Sequence, residues 1–240
     1  MSIVTVRNLT KRYPGFCLDS VSFSLEEGRI TGFIGRNGAG KTTTLKCMLN
    51  LVHPDGGEVL FDNRPIERHE MEIKKNIGYS VGKLNWYPRK TLREIAEVTR
   101  RFYDEWDIQA YERYRRLFQL DEGKTPLEMS EGMKVKCNLL LALSHRAKVL
   151  ILDEPTSGLD PFSRDELLEL FFEIKNQGVA ILFSTHILSD LEKCADDILY
   201  ISNGRAADKM SREGFIQTHA RGKETLEQIL VRWERGARNA

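Results

Sequence analysis

The sequence predicts an α/β fold. Its core is a mostly parallel sheet with helices on both faces. An N-terminal antiparallel β-subdomain and an inserted α-helical subdomain complete it. Three observations carry this. The stretches "RITGFIG", "KVLILDEP", "VAILFST" and "DILYISNG" are continuous apolar strands alternating with helices, as in parallel sheets buried on both faces. By contrast, "SIVTVRNL" and "DSVSFSLEEG" alternate apolar and polar residues, as half-buried antiparallel strands do. From about Tyr87 to Leu120 the chain turns charged, aromatic and helical in period.

The elements follow in order. After the two alternating strands, "RITGFIG" runs into "RNGAGKTTTLKCMLN", where Leu45, Met48 and Leu49 share one helical face. "PDGGEVLFDNRPI" is a turn, a strand and a second turn. "LREIAEVTRRFYDEWD" and "YERYRRLFQL" are helical, and the first helix is expected to start near Thr91. Residues 1–210 are read as one domain, with the core at about 1–83 and 141–210 and the helical insertion at about 84–140. Residues 211–240 form a helical tail. There "ETLEQILVRW" places Leu226, Ile229, Leu230 and Trp233 on one face, either docked on the core or offered to a partner.

Composition narrows the class. The chain has 240 residues, 41% hydrophobic and 30% charged, which fits a soluble globular protein. A net charge of +1 implies no strong bulk attraction to nucleic acid or anionic lipid. No apolar run is long enough for a membrane span, and "MSIVTVRNLTKRY" has no signal-peptide core. A cytoplasmic chain is expected, reaching a membrane only through a partner. Cys17, Cys47, Cys137 and Cys194 have no metal-ligand spacing and read as reduced, mostly buried small residues.

"GRNGAGKT", Gly35 to Thr42, matches G-x-x-x-x-G-K-[ST] at every position, after a strand and before a helix. Its glycines let backbone N–H groups face phosphates, and the helix start adds its positive dipole end. Lys41 supplies a cation, and the Thr42 hydroxyl is a candidate Mg²⁺ ligand. In "VLILDEP", Asp153 emerges at the C-terminal end of a buried strand, where parallel sheets bind ligands. Asp153 suits a direct or water-mediated Mg²⁺ contact. Glu154 suits a base for water attacking a γ-phosphate, although two adjacent acids can also merely cap a loop. His186 ends "LFSTH" at the same sheet edge, positioned for a γ-phosphate contact.

A second helix start is unexpected. "EMSEGMKVK" offers Ser130 and the Gly132 N–H just before "CNLLLALS", a phosphate-seeking arrangement or a plain N-cap. Together these motifs resemble the ABC ATPase family, in particular the ATP-binding subunit of an ABC transporter, over about residues 2–210. Gly35–Thr43 resembles Walker A, Asp153–Glu154 Walker B with its catalytic Glu, "SGLD" (157–160) the D-loop, His186 the switch histidine and "MSEGMK" the signature motif.

The resemblance implies a P-loop NTPase core binding ATP and Mg²⁺. Tyr13 is implied to stack on adenine. Gly35, Asn37, Gly38, Ala39, Gly40, Lys41, Thr42 and Thr43 are implied to hold phosphates, with Thr42 and Asp153 on the metal and Lys41, Glu154 and His186 catalytic. It also answers the second helix start. Two cassettes pair head to tail, and Ser130 and Gly132 of one cap the nucleotide of the other, with Asp160 at the seam. A homodimer, or a heterodimer with a similar subunit, is implied, working with a separate integral membrane permease at the inner face of the membrane, and the resemblance to exporter subunits implies export.

Two departures stand out. Glu131 and Met133 replace the Gly and Gln of the usual signature, and Gly82 stands where the family has its Q-loop glutamine, leaving Lys83 or Asn85 as substitutes or the contact absent. The rival classes are a soluble ABC-type ATPase acting on nucleic acid or ribosomes and a nucleotide-sensing regulatory subunit. Lys41 and Asp153 are too close for an intervening long coiled coil, zinc-type cysteine spacing is lacking, and one cassette is present, which disfavours the first. Glu154 disfavours the second.

Overall fold

The computed structural model describes residues 1–80 and 87–236. Gly82, Lys83, Asn85 and Trp86, singled out from the sequence, lie outside the described residues.

The chain opens with β1 (Ser2–Tyr13), β2 (Phe16–Glu26) and β3 (Ile30–Ile34), then α1 (Lys41–Met48). Next come β4 (Gly56–Phe61), β5 (Arg64–Pro65), α2 (Ile66–Lys74) and β6 (Ile77–Ser80). After β6 come α3 (Leu92–Arg100), α4 (Ile108–Leu117) and α5 (Glu131–Leu143). Then follow β7 (Val149–Asp153), α6 (Pro161–Lys175), β8 (Ala180–Thr185), α7 (Leu188–Cys194) and β9 (Asp197–Ser202). The chain continues through β10 (Arg205–Ala206), β11 (Met210–Ser211), α8 (Arg212–His219) and α9 (Leu226–Gly236).

β2, β1, β4 and β5 form the antiparallel sheet. β9, β3, β8, β7 and β6 lie side by side and parallel, with β10 and β11 pairing antiparallel to β9. Neighbours in the parallel sheet are distant in sequence, because each parallel step needs a crossover. This brings the ends of β3, β7 and β8 to one edge.

The period-2 geometry of strands divides the core. Leu150 and Leu152 of β7, Ile181 and Phe183 of β8, and Ile198 and Tyr200 of β9 pack with α5 to α9. Their alternates Val149, Ile151, Ala180, Leu182, Leu199 and Ile201 pack with α1 and the antiparallel sheet. Both faces are therefore covered, which is why these strands read as unbroken apolar runs.

The helix expected near Thr91 starts there. The Thr91 hydroxyl accepts from the Glu94 N–H (3.3 Å), and the Glu94 carboxylate accepts from the Thr91 N–H (2.8 Å). α5 is one continuous helix, so the expected boundary near residue 140 falls inside it. In the tail, Leu226, Ile229 and Leu230 are buried, and Trp233 packs edge-on against Tyr200 (5.0 Å between centroids). That stripe covers the core.

Buried near the end of α5, His145 stacks on Tyr103, with ring centroids 3.9 Å apart and planes 13° from parallel. Its Nδ1 has no hydrogen-bond partner among the described residues. Burial pushes its pKa from 6.5 down to about 4. Between these values the unfolded chain takes up a proton that the folded chain refuses, so stability falls as pH drops through the window. The full difference is about 3 kcal/mol. Replacing His145 by Phe keeps a stackable ring without a titratable nitrogen. Urea unfolding at pH 7 and pH 4.5 should show a shallower pH loss in His145→Phe than in wild type. Equal losses would remove His145 as the cause.

Candidate nucleotide site

Between β3 and α1 the chain curls tightly. Gly38 (φ 82°) and Gly40 (φ 116°) hold left-handed angles that side chains rarely tolerate, and a Cβ on Gly35 would lie 2.3 Å from the Ile201 carbonyl oxygen. Asn37 and Gly38 are exposed at the tip, whereas Gly35, Ala39 and Gly40 are buried. The Gly204 N–H donates to the Ala39 carbonyl (2.9 Å), tying the loop to the turn after β9. Lys41 is buried, and its Nζ donates to the Gly35 (2.6 Å) and Arg36 (3.3 Å) carbonyls. The ammonium is thus held inside the loop, with Thr42 exposed and Thr43 half-buried beside it.

Asp153 closes β7. Its carboxylate accepts hydrogen bonds from the hydroxyls of Thr42 (2.9 Å) and Ser184. The loop and the strand end therefore meet, as the sequence led one to expect. Glu154 follows at φ 51°, a strained angle for this residue. Its N–H donates to the Ser184 carbonyl (3.1 Å) and hydroxyl (3.0 Å). One Glu154 carboxylate oxygen lies 3.2 Å from His186 Nδ1, and both side chains reach solvent. A carboxylate beside an imidazole, next to a loop of N–H donors and a buried cation, is equipped to orient water against a bound phosphate.

The remaining expected residues lie further along. Tyr13 ends β1 with 43% of its surface exposed, and Lys11 Nζ sits 5.7 Å from its ring centroid. Ser130 caps α5, its hydroxyl accepting from the Met133 N–H (3.3 Å). A Cβ on Gly132 would meet Leu159 at 3.2 Å, so the start of α5 packs against the "SGLD" turn. Asp160 is exposed and caps α6 by accepting from the N–H groups of Phe162 and Ser163 (3.1 Å each). Its bonds to Ser163, side chain and then backbone, hold the carboxyl below the usual carboxylate range. The seven-residue run from Asp153 to Leu159 thus has Thr42 at one end and the second helix start at the other.

Sequence reading missed Ser184, which bonds both Asp153 and the Glu154 backbone. The signal was there in strand pairing: in the parallel register Asp153 stands opposite Ser184.

A family model described as ABC transporter matches residues 18–157. The chain belongs to the ABC transporter family. It is similar to the ABC transporter ATP-binding protein YtrB of Bacillus subtilis, 31% identical over 87% of this chain and 72% of that one. It is also similar to the Nod factor export ATP-binding protein I of Burkholderia orbicola, 34% identical over 91% of this chain and 74% of that one. A ribose import ATP-binding protein of Rubrobacter xylanophilus is similar as well, 29% identical over 95% of this chain and 47% of that one. A solved ATP-binding subunit of an ABC transporter superposes with a TM-score of 0.88 at 28% identity, covering 96% of this chain and 99% of that one. The protein is accordingly an ATP-binding ATPase subunit of the ABC transporter type, with the α/β cassette fold expected from its sequence.

Proposed function

We propose that this ATPase subunit hydrolyses MgATP in a head-to-tail dimer and drives export through separate membrane subunits. The observation that carries the reading is the pairing of two phosphate-seeking features in one chain. The Gly35–Thr43 loop adjoins Asp153, Glu154 and His186, while Ser130 and Gly132 open α5 beyond Leu159. A second copy, turned head to tail, brings its Ser130 and Gly132 N–H to the first copy's nucleotide, with Asp160 at the seam.

The donor set fits a magnesium ion. Thr42 and Asp153 offer a hydroxyl and a carboxylate already in contact, both hard oxygen ligands. When bound, the ion neutralises charge on the terminal phosphates. The loop N–H groups of Asn37 to Thr43 and the Lys41 cation hold the phosphates, and Tyr13 stacks on the base. Glu154 accepts the proton from attacking water, and His186 steadies the γ-phosphate.

Residues 84–140 act in this reading as the helical insertion facing the permease, and 211–240 as an appended tail on the 1–210 cassette. A groove of about 540 Å³, partly lined by Leu51, Phe102 and Tyr103, lies between α3, α5 and β6. Leu51 and Phe102 are exposed there (53% and 69%), as apolar anchors for a helix of the membrane subunit would be. Among the described residues no helix is long and apolar enough to cross a membrane, which suits attachment to the inner membrane face through that partner. The relative named for Nod factor export supports the outward direction. The test is co-expression with candidate polytopic membrane subunits and assay of the complex that forms. ATP-dependent substrate uptake into inside-out vesicles is expected, and uptake only into right-side-out vesicles would reverse the direction. Phe102→Ala should keep basal ATPase activity and lose its stimulation by the membrane protein. Full stimulation in that variant would place the docking site elsewhere.

A further inference from the structure

We infer that Asp190 is a positioning residue, holding the Glu154–His186 pair in register with the start of α6. Asp190 lies on α7 and is fully buried. One carboxylate oxygen accepts from the Thr156 hydroxyl (2.7 Å) and lies 3.5 Å from the Thr185 hydroxyl. The other accepts from Arg164 Nε. Arg164 is fixed further by the Ser189 hydroxyl (2.6 Å).

Two contacts lead to the hydrolytic pair and the third to the seam residue Asp160. Thr156 is two residues beyond Glu154, Thr185 immediately precedes His186, and Arg164 is one helical turn beyond Asp160. One buried carboxylate therefore joins three separate chain segments. Burying a charge is costly unless its geometry is fully satisfied, and apolar packing would hold α6 to α7 at least as well. What apolar packing cannot supply is a fixed register for polar loops.

Glu154 needs such a fix. Its left-handed backbone is strained, and Ser184 pins it only on the upstream side. Thr156, bonded to Asp190, pins the downstream side. Without Asp190 the turn can relax, and the carboxylate drifts from its 3.2 Å approach to His186. Under the head-to-tail reading the same link carries closure at the α6 start to the hydrolytic pair. The positioning itself rests on the assignment of Glu154 and His186, not on the dimer.

The experiment measures steady-state MgATP hydrolysis and equilibrium ATP binding for the purified full chain. The variants are Asp190→Asn, Thr156→Val, Glu154→Gln and the Asp190→Asn/Glu154→Gln double. Asp190→Asn should lower kcat by about 10- to 100-fold, the order expected from a misplacement near 1 Å, with KM and ATP affinity little changed. Thr156→Val, which leaves the Arg164 pair intact, should lose less in the same direction. The double variant should match Glu154→Gln alone, because both changes act through one carboxylate. A merely structural role would instead slow the double further and weaken ATP binding in parallel. That pattern, or wild-type kcat in both Asp190→Asn and Thr156→Val, overturns the inference. Full turnover in Glu154→Gln alone would overturn the assignment of Glu154, and this inference with it.

Discussion

Glu154→Gln is expected to cut ATP turnover by about 10²–10⁴-fold while ATP binding persists. The substitution preserves shape and the backbone bonds to Ser184, since those use the N–H and not the side chain. It removes only the proton acceptor facing His186. Binding rests on other groups: the curled loop, the buried Lys41 ammonium and the exposed face of Tyr13. With chemistry stopped and binding intact, nucleotide-bound dimers should accumulate. Size exclusion with MgATP should show a species of twice the mass in Glu154→Gln that is short-lived in wild type. Turnover within a few-fold of wild type would remove Glu154 from the role of base.

That prediction depends on features legible in the sequence for a physical reason. A phosphate loop must be contiguous, because neighbouring N–H groups build it, so "GRNGAGKT" announces itself. A parallel strand buried on both faces must be apolar until it emerges, so "VLILDEP" marks where Asp153 and Glu154 surface. Alternation likewise revealed the antiparallel sheet, since only one face of it is buried. The supports of the site were not legible. Ser184, Thr156, Arg164 and Asp190 come from β8, the loop after β7, α6 and α7. Their meeting depends on strand order, which no local pattern encodes. Asp190 looks like an ordinary acid on a short helix, and only burial shows that it is none. The His145–Tyr103 stack was hidden for the same reason, joining a residue just after α3 to one just past α5. The two residues of β11 are too few for a period to show, and α2 is interrupted by the non-helical backbone of His69 (φ −129°).

Ser130→Arg should abolish hydrolysis, yet leave ATP binding by the isolated chain intact. Ser130 sits beyond the Leu159-bearing turn 157–160 from the Thr42–Asp153 contact, so in its own chain it has no assigned phosphate to touch. Its measurable duty within the chain is to cap α5, and losing a serine cap costs about 0.5–2 kcal/mol. Ser130→Ala, which loses the same cap without adding bulk or charge, separates that cost from blockage of the partner's site. The decisive step is a mixture with Lys41→Ala chains, themselves inactive. In a head-to-tail pair, one composite site would combine both lesions, and the other would join an intact loop to an intact second helix start. Random pairing at equal amounts makes about half the dimers mixed, each with one whole site of two. Activity should therefore recover to about a quarter of wild type if the sites work independently. No recovery despite pair formation would mean that both sites must fire together. Loss of ATP binding in the isolated Ser130→Arg chain would mean that Ser130 serves its own chain's nucleotide, and the head-to-tail arrangement would be wrong.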